Sequence, residues 1–436
     1  MLKRVIIIVV LLTLAGFAAS FLSNQPGVTV LEWLGWRIEA RTSVLMVIVI
    51  ATIIIAVMID RIIGMIAGLP SRIAGSLSDR RLRQGNQALA IGLVAASAGD
   101  GREALRQAKR AKRLMGEDPL THLLAAQAAT LTGDAQAASR YFEALAEDRQ
   151  TAFFGKAGLM RLESERGDHD AALNAGREAF ALNNNTPSFA KALYALAARQ
   201  GHWDEALDAL SVAERDPSMD KAMVSRGYAA LYYSQAQDRT QKKDDDAAVL
   251  ALLKKALKHD PGLTPAVLDA AARYTDMGKM RQARQVLTTG FAHTPHPSIT
   301  KALFELLGGD AKALSTLIKQ TDQNGNPADA LIEVAALAVM VELWGEARRL
   351  LALVAADDRH LRYWQVYADF ADRAPPPPKG KTASSDEDEP DRHHALTMAA
   401  KAKRPKAWQC SACHHHSETW QAHCPDCGHF AAMAWR

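Results

Sequence analysis

Hydrophobic residues follow three patterns along the 436-residue chain, and each pattern predicts a different kind of structure. Two continuous apolar runs lie near the amino end, Val5 to Leu22 and Val44 to Ile59. From about residue 85 to residue 372, Ala and Leu recur at helical spacing. Apolar residues then become sparse, until a short aromatic-rich segment closes the chain. We therefore predict five segments, with bounds 1–70, 71–84, 85–372, 373–407 and 408–436.

The two apolar runs predict two transmembrane helices. Each run is about as long as a helix needs to cross roughly 30 Å of hydrocarbon. A helix at the edge of a soluble core has a polar face that contacts water, and the second run has no such face. Lys3-Arg4 and Ala18-Ala19-Ser20 also resemble parts of a cleaved signal peptide, and this alternative stays open for the first run.

Charge predicts the orientation of these helices. The connector between the runs has balanced charge, whereas more basic than acidic residues follow the second run. The basic residues are Arg61, Arg72, Arg80, Arg81 and Arg83. By the positive-inside rule, both termini and the segment after residue 84 are expected in the cytoplasm.

Between residues 85 and 372, a period of 34 residues predicts tetratricopeptide-type helical pairs. Small residues mark the period, with each glycine followed five positions later by an alanine. They are Gly99, Gly133, Gly167 and Gly201, with Ala104, Ala138, Ala172 and Ala206. An aspartate follows the first three glycines and can cap the next helix. The predicted fold is all-α, a solenoid of about seven or eight pairs, less regular after Pro217 and with a polar insertion at Asp238–Asp246.

Solenoids of this kind bind other proteins through an extended surface. No residue set in the repeats points to catalysis, so we predict a binding protein and no enzyme. Tyr228, Tyr232 and Tyr233 lie on a predicted first helix of a pair, the helix that usually lines the binding surface. They are candidates for contacts with a protein partner, with packing in the core as the alternative.

Composition and charge narrow the class of partner. The chain has 52 basic and 48 acidic residues and a net charge of +4, so it carries no excess that would indicate nucleic acid. Segment 373–407 starts at a proline run, Pro375–Pro378, and continues into the acidic run Asp386–Asp391. Such a sequence cannot bury enough apolar surface to fold, which predicts a disordered linker that holds the final module at a distance.

All four cysteines lie in that final module, as two Cys-x-x-Cys pairs separated by ten residues. They are Cys410, Cys413, Cys424 and Cys427. Two such pairs typically complete a tetrahedral Zn²⁺ site. We predict a zinc ribbon, with iron in a rubredoxin-like site as the first alternative and two disulfides as the second.

Histidines crowd the same module and offer a further hypothesis. They are His414, His415, His416 and His423. We interpret them as solvated loop residues, while a second metal or haem site, or replacement of a cysteine ligand, stays open. The pair Cys424-Pro425 also matches a dipeptide of haem-regulated proteins, but inside a four-cysteine ribbon we interpret it as part of a metal knuckle.

The order of these parts resembles the HemY family of bacterial membrane proteins, in its alphaproteobacterial form, over roughly residues 1 to 361. The motifs that carry the resemblance are Pro26-Gly27, Leu34-Gly35-Trp36-Arg37-Ile38-Glu39, Asp118-Pro119-Leu120-Thr121 and Gly201-His202-Trp203-Asp204-Glu205-Ala206-Leu207. The four-cysteine tail is similar to the rubredoxin-like tail of the LapB family, whose members have one membrane helix before their repeats.

The resemblance implies a multi-pass scaffold of the bacterial inner membrane that is associated with haem biosynthesis and binds haem-pathway enzymes. The LapB likeness implies a different role, as an adaptor for a membrane protease or for the regulation of envelope lipid synthesis. The Cys/His module adds a third hypothesis, a haem or redox sensor.

Overall fold

The computed structural model describes residues 13, 17, 20, 27–33, 35–375 and 391–436. The first predicted transmembrane run, Val5 to Leu22, lies outside the described residues apart from three positions. Contacts divide the chain into two compact units, Met1–Ala138 and Ser139–Arg436.

The first unit begins with a β-hairpin where we predicted only a connector. Strand β1, Val28–Trp33, pairs antiparallel with β2, Trp36–Arg41, and places Trp33 opposite Trp36. Gly35 has a φ of +88°, a backbone conformation that the tight turn requires and that glycine adopts without strain. Helix α1, Thr42–Ser97, follows the hairpin directly.

Helix α1 contains the second predicted transmembrane run. Its apolar side chains there are exposed, with Ile53 58 %, Met58 58 % and Ile59 52 % exposed. No helix in the described part of the chain combines the length and the apolarity that crossing a membrane requires. The prediction of transmembrane helices is therefore not supported by the described residues.

Short helices follow α1 in pairs, and the pairs continue through the second unit. In the first unit α1 packs against α2, Gly101–Met115, and α2 against α3, Pro119–Leu131. The later helices are α4, Ala135–Glu147; α5, Ala152–Arg166; α6, His169–Leu182; α7, Pro187–Arg199; α8, Trp203–Ala213; α9, Lys221–Gln241; α10, Asp246–His259; α11, Thr264–Asp276; α12, Met280–His293; α13, Pro297–Leu306; α14, Ala311–Gln323; α15, Ala328–Met340; and α16, Trp344–Leu353.

The predicted turn signature is confirmed at every one of its positions. The four glycines of the period have φ between +76° and +81°, and the four alanines are fully buried. The carboxylate of Asp100 accepts a hydrogen bond from the Glu103 N–H at 2.9 Å, and Asp134 and Asp168 cap their helices in the same way. In the turns with these aspartates, the glycine ends one helix and the following aspartate caps the start of the next. The alanine is small enough for the two helices to pack closely.

Two parts of the repeat segment differ from the sequence prediction. The polar insertion predicted at Asp238–Asp246 is only a short turn, because α9 continues helically to Gln241. In this extension the Trp203 Nε1–H donates to Asp238 Oδ2 at 2.5 Å, which gives the polar side chain a partner. The pair α13 and α14 was not predicted from the sequence. The turn of this pair does contain a Gly-Asp dipeptide, Gly309-Asp310, but the dipeptide does not fall at the 34-residue spacing.

Close packing of small residues predicts a stability effect at Gly155 of α5. A Cβ atom added there would lie 2.4 Å from the backbone nitrogen of Ala146 and 2.6 Å from the carbonyl oxygen of Phe142, so the two helices must move apart. We expect Gly155→Ala to lower the free energy of unfolding by about 1 to 3 kcal/mol. Thermal unfolding followed by circular dichroism measures this change.

The matched control is Gly345→Ala in α16, where an added Cβ atom meets no heavy atom within 4 Å. That substitution should be neutral or stabilising by up to about 1 kcal/mol, since alanine favours a helix more than glycine does. Equal unfolding temperatures for the two variants would contradict the packing argument.

The carboxyl-terminal region differs most from the prediction. A 3₁₀ helix, Ala356–Asp358, precedes α17, Leu361–Arg373. Within the predicted linker 373–407 the structure describes a helix, α18, Arg392–Lys401, which packs on α17 and buries Ala395 completely. The acidic composition predicted disorder here, but the Asp391 side chain caps α18 by accepting from the His393 N–H. The proline and acidic run before it, 376–390, lies outside the described residues.

The chain ends in a small antiparallel sheet, as the ribbon prediction requires. Strand β3, Trp408–Cys410, lies between β4, His416–Ser417, and β5, Met433–Trp435. Trp408 lies opposite Ser417 on one side and opposite Trp435 on the other. We call residues 408–436 the four-cysteine module.

Candidate metal centre

Two tight turns position the four cysteines. In the first turn, the Cys410 N–H donates to the His415 carbonyl at 2.8 Å. In the second, the Cys424 N–H donates to the His429 carbonyl at 3.0 Å. The residue that follows the second cysteine of each pair has positive φ, +61° at His414 and +70° at Gly428. The two turns are therefore built alike, and both direct their thiols to one point.

The sulfur atoms form a cage of the size that a metal ion needs. One ligand atom from each cysteine lies within 4.8 Å of all the others. The Sγ atoms of Cys410 and Cys427 are 3.7 Å apart, and those of Cys413 and Cys424 are 3.5 Å apart. Four sulfurs at about 2.3 Å from a tetrahedral Zn²⁺ would be roughly 3.8 Å apart. These residues therefore fit a tetrahedral metal ion, although the cage alone does not distinguish zinc from iron.

The distances between the sulfur atoms are those of free thiols and are too long for disulfides. A disulfide requires about 2.05 Å between the two sulfurs, and all four cysteines here are free. The alternative of two disulfides is therefore absent from this structure.

The environment of Cys424 favours the thiolate that binds metals. Burial of the side chain raises the pKa of this thiol, but the backbone N–H groups of Cys427 and Asp426 donate to its sulfur. Together with the neighbouring thiols, these hydrogen bonds lower the pKa to about 6. At Cys413 the hydrogen bond from the His415 N–H lowers the pKa, but burial and hydrogen bonds with the neighbouring thiols outweigh it and raise the pKa to about 12. Of these two thiols, Cys424 is the one whose surroundings favour the thiolate that binds metals.

The histidines of the module are not part of the cage. The group of candidate ligands found among the described residues contains the four cysteines and no histidine. His414 and His416 are exposed. His423 instead packs beside Phe430, with 5.0 Å between the ring centres, and burial lowers the pKa of its imidazole.

The four-cysteine module packs against the helical pairs of the second unit. Phe430 lies against Tyr194 of α7 and Trp203 of α8, with ring centres 6.1 Å apart in both cases. Trp420 meets the edge of Tyr233 of α9 at 5.3 Å. We call Tyr194, Trp203 and Tyr233 the docking surface. The prediction of a module held at a distance is thus corrected, because its half-buried aromatic side chains Trp420 and Phe430 pack on the repeats.

A third contact lies at the start of α13. The His296 ring is 4.5 Å from that of Trp435 and 6.3 Å from that of Trp408. Its Nδ1 accepts a hydrogen bond from the Ser298 N–H and caps the helix. Burial lowers the pKa of His296 to about 4, so the ring is neutral at this contact at neutral pH.

The segment that leads into the module is attached as well. The Leu361 N–H donates to the Lys403 carbonyl at 2.8 Å, at the start of α17. Lys406 Nζ lies 2.5 Å from Asp329 Oδ2 of α15. Two basic residues at the end of segment 373–407 thus contact the helices that precede it.

The three tyrosines predicted to face a partner all have neighbours within the chain. Tyr228 stacks on His259 with 4.7 Å between ring centres, and Lys255 Nζ lies 5.3 Å from the centre of Tyr232. Tyr233 contacts Trp420 and donates its hydroxyl to Asp269 Oδ2 at 3.2 Å. Their role in binding a partner stays a prediction. The docking surface is not apparent from the sequence, because aromatic residues of so small a ribbon, such as Trp420 and Phe430, are expected to cover its own sheet.

Comparison with known proteins gives one match within the first unit and one match over the whole chain. Residues 27–133 match the family model described as HemY protein N-terminus. The chain is 25 % identical over 439 residues to the probable magnetosome protein Mms48 of Magnetospirillum gryphiswaldense, and the alignment covers 100 % of this chain and 94 % of Mms48. The family match ends before the four-cysteine module, so the metal centre is supported by its geometry alone.

Solved structures of repeat proteins resemble the chain only distantly. A tetratricopeptide repeat protein from Parabacteroides merdae aligns with a TM-score of 0.30 and 13 % identity, covering 73 % of this chain and 99 % of that one. The TPR2AB domain of yeast Sti1 in complex with pHSP90 aligns with a TM-score of 0.28 and 15 % identity, covering 69 % and 95 %. Because these TM-scores are low, the two structures add no argument about the fold beyond the helical pairs already described. The two sequence matches thus show a likeness to the HemY protein N-terminus over residues 27–133 and to Mms48 over the whole chain.

Proposed function

We propose that this protein is a non-enzymatic scaffold that binds other proteins through its helical pairs, in association with haem biosynthesis. The observation that carries the proposal is an open groove between α5 and α7, the first helices of two successive pairs. The groove has a volume of about 380 Å³ and is lined by Phe153, Met160 and Phe189, with Arg161 and Glu165 at its polar edge. An apolar groove with a few charged groups at its edge suits a protein segment with an apolar face.

The haem association is supported by the match of residues 27–133 to the HemY family model and by no particular residue, so it needs its own test. We expect the tagged, full-length protein to retain enzymes of the haem pathway after crosslinking in cells and purification from membranes. Arg161→Glu should reduce that recovery severalfold, because it places like charge beside Glu165 in the groove. Mass spectrometry of the purified complexes measures the recovery.

The matched control is Arg281→Glu, an exposed charge reversal on α12, the second helix of its pair. It should leave the recovery unchanged. If neither the unaltered protein nor the control recovers any protein above background, the scaffold proposal fails. Recovery of proteins unrelated to haem, with the same dependence on Arg161, would keep the scaffold and remove the haem association.

We also propose that the amino-terminal part anchors the chain in the bacterial inner membrane, with the repeats in the cytoplasm. The apolar runs and the arginines after them support this, as do the exposed apolar side chains of α1 between residues 44 and 59. The protein should stay in the membrane pellet after extraction with alkaline carbonate and leave it only with detergent. Ile54→Lys together with Ile55→Lys should reduce the pelleted fraction. Full release of the unaltered protein by carbonate would contradict the anchor.

A further inference from the structure

The four-cysteine module contributes one aromatic side chain to each of two hydrophobic clusters in the repeats. Phe430 packs on the cluster that contains Leu193, Tyr194 and Leu210. Trp420 packs on the neighbouring cluster, which contains Leu253 and Tyr274 among its buried residues. The module therefore spans two adjacent clusters and covers the docking surface between them. Repeats stack only on their neighbours, so a part that touches several pairs restrains them together.

The module has little apolar core of its own. Its cluster of buried residues consists of Trp408, Cys410, Cys424, Ala432 and Met433, so two of the five are cysteines of the cage. A domain of this size rarely folds on apolar burial alone, and metal binding then supplies the folding free energy. We expect the conformation of the module to depend on the metal that the four thiols fit.

The two anchoring side chains are placed by the cysteine turns. Trp420 lies in the loop between the two Cys-x-x-Cys pairs. Phe430 follows the second pair, where residue Ala431 has a φ of +55° and a β-bridge joins Phe430 to His423. When the second turn loses its metal, the position of Phe430 against Tyr194 and Trp203 depends on that single β-bridge and on ring contacts. Metal occupancy and docking are thus physically coupled.

We propose that the metal centre acts as a latch on the repeats: the metal-loaded module covers the docking surface, and loss of the metal exposes it. The latch rests on metal binding by the four cysteines, as inferred above, and adds a switch to the scaffold. Tyr194, Trp203 and Tyr233 then become accessible to solvent only after release of the module. The covered surface is distinct from the groove between α5 and α7, whose lining contains no residue of the module.

Hydroxyl-radical footprinting of the full chain tests the latch, with oxidation rates read by mass spectrometry at each aromatic residue. Removal of the metal with a chelator should raise the rates at Tyr194, Trp203 and Tyr233 severalfold. The rate at Phe304, which is 1 % exposed and lies in another cluster, should stay the same and so report an intact repeat core.

A variant separates docking from metal binding. Trp420→Ala combined with Phe430→Ala removes the two side chains that cover the docking surface, while the contact of Trp435 with His296 and all four cysteines remain. This variant should keep its metal by elemental analysis yet show the raised rates. Phe154→Ala is the matched control, because Phe154 is 55 % exposed on α5 and its ring packs on Phe153. Its rates at the docking surface should equal those of the unaltered chain.

The outcomes distinguish the latch from the scaffold. If the chelator removes the metal and the three rates do not change, the latch is wrong even though the metal site is real. If the chain holds no metal and the surface is still protected, metal control is wrong as well. Neither result depends on the recovery of partners through the groove, which tests the scaffold separately.

Discussion

Replacement of Cys424 by serine should abolish metal binding and unfold the four-cysteine module while the repeats stay folded. The serine hydroxyl is a poor ligand and leaves a three-sulfur cage around the ion. Apparent zinc-binding free energies of about 10 to 16 kcal/mol have the size of a folding free energy, and the small core of the module cannot replace them. Elemental analysis should find one equivalent of metal in the unaltered chain and none in the variant.

His415→Ala is the matched control for this experiment. The side chain lies outside the cage, and the part of His415 that supports the first turn is its carbonyl oxygen, which the substitution keeps. The control should retain a full equivalent of metal. The visible spectrum identifies the ion, since zinc gives no absorbance and iron in a four-sulfur site or haem gives strong bands. Loss of metal in both variants would show that a histidine takes part in the site.

The second large effect is expected at a partly buried ion pair between α15 and α17, in which the arginine is 36 % exposed and the glutamate 9 %. Arg362 donates from Nε and Nη2 to the two carboxylate oxygens of Glu333 at 2.9 and 3.0 Å. The Glu333 carboxylate raises the pKa of Arg362 by accepting these hydrogen bonds. We expect Arg362→Met to destabilise the protein by about 3 kcal/mol, because it leaves the Glu333 side chain, only 9 % exposed, without its partner.

Two further variants, also measured by chemical denaturation, are needed to interpret this result. Arg349→Met removes a pair with Glu346 in which both side chains are 44 % exposed, and it should cost less than about 1 kcal/mol. Glu333→Leu combined with Arg362→Met should recover much of the lost stability, since the unpaired charge is then gone. An Arg362→Met variant as stable as Arg349→Met would show that solvent reaches Glu333 and that the pair adds little.

Much of the fold follows from local rules that one sequence displays. Gly99 and the glycines at the same spacing must take positive φ to end a helix, and Ala104 and its counterparts must be small where two helices meet. These requirements repeat with the chain, so a period in the sequence becomes a period in the structure. The pair α13 and α14 escaped recognition because its turn uses Gly308 and Gly309 at another spacing.

The candidate metal site was equally readable from the sequence. Two Cys-x-x-Cys pairs determine which residues can meet, because each turn brings its own two thiols together and two turns complete one cage. The choice between thiols and disulfides needed the distances between sulfur atoms, which no spacing in a sequence reports.

The sequence by itself determined the helical pairs, their turns and the four candidate metal ligands, since each depends on residues close together in the chain. Only the tertiary structure decided where the four-cysteine module lies. Phe430 and Tyr194 are far apart in sequence but in contact in the structure. The identity of an aromatic residue does not indicate which distant surface it will pack against. The same holds for Trp420 on Tyr233 and for Lys406 on Asp329. Long-range contacts of this kind arise from the shapes of two folded parts, and a local pattern in the sequence does not encode their match.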